Sequence, residues 1–192
     1  MKKQRYALII IDMQNDFVLP DSPACVAGAL ATVAQIQKIL ETCRRIKWPV
    51  IHVIREYRAD GSDIEITRLP EFREKKYCVP GTAGCEIVAA LKPASDEYII
   101  VKKRFSAFMN TELDIILRRL EIENIVICGT QYPHCIRATV YDGVSYGYNV
   151  TLITDATAAQ TPEIASANTR DIRDIGVECV STFYFVNNIA VH

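Results

Sequence analysis

Short apolar runs alternate with longer amphipathic stretches along the chain. The apolar runs predict strands at residues 6–11, 50–54, 98–101, 125–128, 149–153 and 177–180. Apolar residues at helical spacing predict helices at residues 28–47, 82–91, 111–120, 133–146 and 162–174. This alternation is typical of an α/β fold in which helices cover both faces of a mostly parallel sheet. We therefore expect a single three-layer α/β/α domain over residues 1–192, with six strands in the Rossmann-like order 3-2-1-4-5-6.

Polar residues follow several of these strands where the chain leaves the sheet. Asp12 ends the first strand, Lys102 and Lys103 end the third, and a turn leading to Cys135 follows the fourth. Ligands of such sheets bind beyond the carboxyl ends of the strands, where the strand order switches direction. An acid, a cation and a thiol are thus predicted to meet at one edge. Taken singly, Asp12 is equally typical of a turn cap, and the two lysines of a solvated rim.

Cys135 lies where a buried strand turns into a predicted helix. Pro133 is typical of the first helical position because its fixed φ suits the helix. Cys135 then falls in the first turn, where free amides and the helix dipole favour a thiolate over a thiol. That placement makes it a candidate nucleophile, although a cysteine taken alone is more often a buried packing residue.

Charge and composition bear on the binding partners and the cellular location of the protein. The formal net charge is -1, so nothing indicates a nucleic acid or an anionic membrane as partner. The residues before the first strand lack the apolar stretch of an export signal, and no run is long enough to span a bilayer. The seven cysteines are an odd number and several fall within apolar runs, which favours reduced thiols and a cytoplasmic location.

Three segments together resemble the isochorismatase-like cysteine hydrolases. The segments are residues 7–17 (ALIIIDMQNDF), residues 102–108 (KKRFSAF) and residues 129–139 (GTQYPHCIRAT). They occur in the order typical of that family, which includes N-carbamoylsarcosine amidase, ureidoacrylate amidohydrolase, biuret hydrolase and the nicotinamidases. The resemblance extends from the first strand to residues 155–157 and so covers most of the chain.

The resemblance implies a catalytic triad of Asp12, Lys102 and Cys135, with Lys103 as a bystander. It also implies a non-proline cis peptide bond between Thr130 and Gln131. The backbone amides of Gln131 and Cys135 would then form the oxyanion hole.

The nicotinamidase branch carries a metal cluster of Asp and His after the second strand. This chain has only three histidines and none in residues 55–60. His52 lies within the strand, His134 is a helical neighbour that faces away from Cys135, and His192 is the last residue. We therefore expect neither a metal nor another cofactor, and nicotinamide is a weaker substrate candidate.

Residues that could contact a substrate lie beside the implied triad. An arginine at this edge can hold a carboxylate through two hydrogen bonds, and Arg55, Arg58 and Arg104 are suitably placed in sequence. Surface ion pairs with Glu56, Asp60 or Glu65 explain these arginines equally well. The full set of candidate substrate-binding residues is Asn15, Phe17, Tyr57, Arg58, Arg104 and Tyr132.

The favoured function is a cysteine-dependent hydrolase that cleaves the C–N bond of a small amide or ureide through a thioester. Two alternatives remain open. One is hydrolysis of a vinyl ether, as in another branch of the family. The other is a non-catalytic or redox-sensing thiol protein, although the sequence offers no Cys-x-x-Cys pair near Cys135.

Two further features bear on assembly and access. Residues 55–80 are polar and irregular, too long for an ordinary loop, which suggests a functional segment. The resemblance implies a homo-oligomer, either a dimer or a tetramer. The apolar residues 183–186 are compatible with burial between subunits or against the chain's own sheet.

Overall fold

The computed structural model describes residues 5–190. The predicted domain of residues 1–192 therefore has its first four and last two residues, His192 among them, outside the described part. Within residues 5–190, no helix is long and apolar enough to cross a membrane.

Six strands form one sheet in the order β3-β2-β1-β4-β5-β6, and every neighbouring pair is parallel. The predicted fold class and strand order are confirmed. The strands are β1 (Tyr6–Ile11), β2 (Val50–Arg55), β3 (Tyr98–Lys102), β4 (Asn124–Thr130), β5 (Asn149–Ala158) and β6 (Glu178–Val180).

Helices of very different length connect these strands. The helices are α1 (Asn15–Val18), α2 (Ala29–Arg45), α3 (Leu69–Lys75), α4 (Leu113–Arg119), α5 (Arg137–Ser145), α6 (Pro162–Asp174) and α7 (Thr182–Tyr184). Four of them, α2, α4, α5 and α6, occupy segments where helical spacing predicts a helix.

The helix predicted at residues 82–91 is wrong. Two short 3-10 turns, Ala83–Cys85 and Ala89–Leu91, occupy this segment instead. Its backbone is hydrogen-bonded to the chain after β1: Asn15 donates to the carbonyl of Glu86, and Val88 donates to that of Met13. These tertiary bonds replace the helical ones that the apolar spacing alone would favour.

The core lies on both faces of the sheet. Successive residues of β1 alternate between two apolar clusters, with Leu8 and Ile10 in one and Ile9 and Ile11 in the other. Both clusters exclude water almost completely, since none of these four side chains is more than 1% exposed. A strand buried on both faces is a continuous run of apolar residues, which explains why the sequence predicts β1 correctly.

The carboxyl ends of the central strands lie very close together. Ile11 is paired with Gly129 of β4, and a Cβ atom at Gly129 would lie 2.2 Å from the Ile11 carbonyl oxygen. Gly129 has φ +118°, which only glycine adopts readily. On the other side of β1, the amide of Asp12 donates to the carbonyl of Val53 at 2.8 Å. These contacts fix the ends of β1, β2 and β4 relative to one another.

Candidate active site

Four polar side chains meet beyond the carboxyl ends of β1 to β4. Lys102 Nζ lies 2.7 Å from Asp12 Oδ2 and 3.4 Å from Cys135 Sγ. Arg55 Nη2 lies 3.2 Å from the same sulfur atom. None of the four residues is more than 5% exposed. The sheet edge thus brings together the three residues that the sequence nominates as catalytic, together with Arg55, which the set of candidate site residues omits.

Asp12 is the first residue after β1 and has φ 51°, in the left-handed region. Asp is among the few residues other than Gly that tolerate this conformation. The turn aims its carboxylate back over the end of the sheet, where Oδ2 accepts from Lys102. Oδ1 is buried and has no hydrogen-bond partner within the described residues. Asp12 therefore has one oxygen engaged and one open.

Cys135 lies on a π-helical turn, Tyr132–Ile136, that leads into α5. The carbonyl of Gln131 accepts hydrogen bonds from the amides of His134 and Ile136, and the longer of these two turns defines the π geometry. The sequence predicts an ordinary helical turn starting at Pro133, so the local geometry differs from the expectation. The peptide bond between Thr130 and Gln131 is cis, at the position that the resemblance implies.

The electrostatic balance at Cys135 is set mainly by burial. Burial raises the pKa of the Cys135 thiol and the Asp12 carboxylate adds to this, while the cations of Lys102 and Arg55 lower it. The net direction is upward. Burial therefore opposes the thiolate that the helix terminus is expected to favour. The nearby Asp12 carboxylate can accept the thiol proton.

Arg55 ends β2 and is fully buried. Its Nη1 donates to the hydroxyl of Tyr57 and to Glu65 Oε1, the latter at 3.0 Å, and Tyr57 donates to Glu65 Oε2 at 2.6 Å. The sequence gives one signal for this residue, since an arginine that ends an apolar strand must find a partner or face solvent. It does not show that Glu65, ten residues later in an irregular segment, supplies that partner.

Three of the predicted substrate-binding residues, Phe17, Tyr57 and Tyr132, are buried. Phe17 and Tyr132 are buried, at 4% and 1% exposure. The hydroxyl of Tyr132 accepts from Thr169 at 3.1 Å, so this ring is fixed against α6. The hydroxyl of Tyr57 is already bonded to Arg55 and Glu65, which places Tyr57 behind the arginine.

The other three have partners of their own. Asn15 Nδ2 donates to the carbonyl of Ala83 at 2.7 Å. Arg104 donates to the carbonyl of Asp63 at 2.7 Å, and its own carbonyl accepts from the cluster. Arg58 is exposed, and its guanidinium forms a surface ion pair with Asp60. For Arg58 the structure matches the surface ion-pair interpretation.

Lys103 points away from the triad. Its Nζ donates to the carbonyl of Glu56 at 2.7 Å and lies 3.1 Å from Asp63 Oδ2. It therefore ties the residues after β3 to those after β2, whereas Lys102 faces the sulfur.

A cavity of about 250 Å³ adjoins the turn that carries Cys135. Such a volume suits a ligand smaller than a typical drug molecule. Its wall includes Phe17, Cys25, Arg68, Lys75, Gln131 and Gln160.

The described histidines have other partners than a metal. His52 Nε2 lies 2.9 Å from Glu97 Oε2, and the His134 ring stacks on Phe105. Within residues 5–190, no group of three or more His, Cys, Asp or Glu side chains is arranged to hold a metal ion. Arg55, the last residue of β2, is a cation, and residues 56–60 contain no histidine, so this edge does not fit the Asp and His metal cluster of the nicotinamidase branch.

Sequence and structure comparisons agree with the resemblance seen in the motifs. A family model described as an isochorismatase domain matches residues 6–182. A protein of Arabidopsis thaliana described as a probable inactive nicotinamidase is 43% identical over 176 residues, covering 90% of each chain. The ureidoacrylate amidohydrolase of Pantoea ananatis is 29% identical over 181 residues, covering 84% of this chain and 72% of that protein.

Solved structures show the same relationship. The crystal structure of an isochorismatase family protein from Desulfovibrio vulgaris superimposes with a TM-score of 0.93 at 49% identity, covering 97% of this chain and 99% of that one. With a family model that spans most of the sequence, a close structural match and the predicted motifs at one sheet edge, this chain belongs to the isochorismatase family of hydrolases.

Proposed function

We propose that the protein is a cysteine-dependent amidohydrolase that cleaves the C–N bond of a small amide or ureide through a thioester on Cys135. The observation that carries this proposal is the convergence of Asp12, Lys102 and Cys135 in one buried cluster, with Lys102 Nζ 2.7 Å from the carboxylate and 3.4 Å from the sulfur. A nucleophile, a proton acceptor and a cation within hydrogen-bond reach are the parts that covalent amide hydrolysis requires.

The first step moves a proton from sulfur to Asp12. Oδ1 is the oxygen without a partner among the described residues, so it accepts the thiol proton while Lys102 holds Oδ2. The sulfur electron pair attacks the carbonyl carbon, and the C=O π electrons move to oxygen. The backbone amides of Gln131 and Cys135 are proposed to stabilise this oxyanion.

The tetrahedral intermediate then loses its nitrogen. Asp12 returns its proton to the leaving amine, the C–N bond breaks, and the acyl group remains on Cys135 as a thioester. Water replaces the amine, gives a proton to Asp12 and attacks the thioester carbonyl. Collapse releases the acid and returns the proton to sulfur, so the same carboxyl acts alternately as base and acid.

The proposed substrate is a small molecule, and the proposed reaction uses no cofactor. We propose that it enters through the cavity lined by Phe17 and Gln131 and that it contacts Tyr132, the residue after Gln131. Asn15, Tyr57, Arg58 and Arg104 are proposed to contact the substrate away from the reacting carbon, because each already has a protein partner. The amidohydrolase from Pantoea ananatis supports a ureide as one class to test.

A second candidate is a non-catalytic thiol protein on the same fold. Two observations favour it: burial raises the pKa of Cys135, and the Arabidopsis relative is described as a probable inactive nicotinamidase. That description concerns nicotinamide, so it leaves hydrolysis of other amides open to test.

An ammonia-release screen over amides, ureides, biuret and nicotinamide tests the proposal. The screen compares the wild-type protein with Cys135→Ala and with the matched control Cys179→Ala, a half-buried cysteine on β6. We expect at least one substrate to be hydrolysed by the wild type and the control but not by Cys135→Ala. Activity retained in Cys135→Ala contradicts the proposal. Absence of ammonia from every compound favours the thiol protein, or the vinyl-ether hydrolase if isochorismate is consumed.

A further inference from the structure

We propose that Arg55 is a fourth catalytic residue, whose guanidinium stabilises the negative charge that develops on Cys135 Sγ when the thiol proton leaves. The inference rests on the proposed function, in which this sulfur is the nucleophile. The resemblance implies only three catalytic residues and assigns Arg55 no role in the chemistry.

The five N–H groups of Arg55 have distinct directions. Nη1 donates to Tyr57 and Glu65, and Nη2 donates to the Arg104 carbonyl at 3.0 Å and to Cys135 Sγ at 3.2 Å. A guanidinium is a rigid planar fork, so three fixed partners determine where its fourth N–H points. That N–H points at the sulfur.

Arg55 also lies next to Asp12, the residue that accepts the thiol proton. Its Nε has no hydrogen-bond partner among the described residues and lies 3.9 Å from Asp12 Oδ2. When the thiol proton moves to Asp12, one negative charge passes from the carboxylate to the sulfur. Arg55 lies beside both positions, as does Lys102 at 2.7 Å and 3.4 Å. Both cations therefore stay next to the negative charge throughout the proton transfer. The hydrogen bond from Arg55 to Cys135 is stronger when the sulfur is a thiolate than when it is a thiol.

The arginine is held rigidly enough to act in this way. Its Cζ atom lies 5.3 Å from the ring centroids of both Tyr57 and Phe105. Tyr57 is packed edge-on against Phe72 and Tyr77. Preorganised donors that need not move when charge develops are the most effective ones. Tyr57 and Glu65 are thus positioning residues for the arginine.

The charges around Cys135 come from the ends of three strands and from the segment before α3. Asp12 follows β1, Arg55 ends β2 and Lys102 ends β3. Glu65 reaches the site from the segment before α3 and faces Arg55. His134, in the same turn as Cys135, has its pKa lowered by burial and by the nearby arginines, so it is neutral at pH 7. Among residues 5–190, Arg55 and Lys102 are the cations within hydrogen-bond distance of the sulfur.

The test measures how fast iodoacetamide alkylates Cys135, quantified on the Cys135 peptide from pH 6 to pH 9, in wild type and Arg55→Met. Below the thiol pKa this rate follows the thiolate fraction. An opposite charge within about 4–6 Å shifts a pKa by about one unit or more, so we expect about a tenfold or greater loss of rate at each pH. For the best substrate of the screen, kcat/KM should fall by a similar factor with KM little changed.

Arg118→Met is the matched control, since Arg118 is an exposed arginine paired with Asp114 on α4. We expect its alkylation rate to remain within about twofold of wild type. If Arg55→Met does not fold, the double variant Arg55→Met with Glu65→Leu removes both charges of the buried pair and replaces them by apolar side chains. An alkylation rate within about twofold of wild type in the folded variant overturns the inference. This readout needs no substrate, so it is independent of whether the proposed function holds.

Discussion

Asp12 uses its two carboxylate oxygens differently. Oδ2 is bonded to Lys102, whereas Oδ1 is buried and has no hydrogen-bond partner within residues 5–190. An unpaired buried acceptor is costly for stability, and such sites are often functional. Its positive φ adds a second unfavourable feature at the same residue. The unpaired oxygen is explained if it receives the thiol proton, and the left-handed backbone turns the carboxylate towards Lys102.

Substitution Asp12→Asn tests this role. The amide keeps an oxygen for Lys102 but cannot accept a proton, so we expect kcat to fall by about 10²–10⁴-fold with the fold retained. Steady-state kinetics and circular dichroism measure the two effects. The control Asp171→Asn changes an exposed carboxylate paired with Arg137 and should leave kcat unaltered. A kcat for Asp12→Asn close to that of the wild type would exclude Asp12 as the base.

The charge of Glu97 makes the stability of the protein depend on pH. Burial opposes its charge, but hydrogen bonds from Arg44, Ala94 and His52 outweigh this and lower its pKa to about 2. A carboxyl with a lowered folded-state pKa stabilises the protein above its ordinary pKa, and that stability is lost as the pH falls through the lowered value.

We therefore expect Glu97→Gln to reduce the free energy of unfolding at pH 7 by about 1–2 kcal/mol, a figure reduced by solvent screening of the Arg44 side. The difference from wild type should shrink below about pH 4.5 and vanish near pH 2. Urea titrations at several pH values measure it. Glu71→Gln, in an exposed pair with Lys75, should change stability much less. An equal loss at pH 2 and pH 7 would rule out this linkage.

At the scale of elements, the strands follow from the sequence and the turns do not. β1 and β4 are buried on both faces, and continuous apolar runs predict them directly. Residues 82–91 show the limit, since their backbone bonds to the chain after β1 instead of forming a helix. The π turn before α5 likewise depends on tertiary packing, which the spacing of apolar residues does not indicate.

The junction of β1 and β4 gives a prediction at this scale. A Cβ atom at Gly129 would lie 2.2 Å from the Ile11 carbonyl oxygen, and both partners are backbone. We expect Gly129→Ala to destabilise the protein by more than about 3 kcal/mol, through backbone strain and displaced strands. The control is Gly147→Ala, where φ is +87° but nothing lies within 4 Å, and about 1 kcal/mol is expected. Equal thermal midpoints for the two variants would show that the close approach is unimportant.

At the scale of the whole molecule, the motifs predict the fold and three members of the site, because parallel strands bring their carboxyl ends to one edge. The sequence places Arg55 near this edge only as one of three arginines that could hold a substrate carboxylate, and it does not predict the contact of Arg55 with Cys135. Whether a guanidinium at a strand end folds inward depends on a distant carboxylate, here Glu65, and on the rings that cover it. Long-range partners of this kind are not visible in spacing.

Assembly is the remaining prediction at this scale. From the sequence we expect residues 183–186 to be buried either between subunits or within the chain. Phe185 is buried within the chain against Trp48, at 6.0 Å between ring centroids, whereas Phe183 is 77% exposed and free to contact another subunit. Ile66 and Ile115 are also exposed, at 85% and 71%. We expect a dimer or tetramer that covers part of this apolar surface. Light scattering after size exclusion should give two or four times the mass of one chain, and a single-chain mass at all concentrations would refute it.

In the proposed mechanism, Cys135 becomes acylated during hydrolysis of a C–N bond. The direct measurement is mass spectrometry of the protein acid-quenched during turnover of the best substrate of the screen. We expect an adduct with the mass of the acyl fragment on Cys135 and none on Cys128, which lies in the preceding strand and is fully buried. Steady hydrolysis with no adduct on Cys135, or an equal rate in Cys135→Ala, would contradict it.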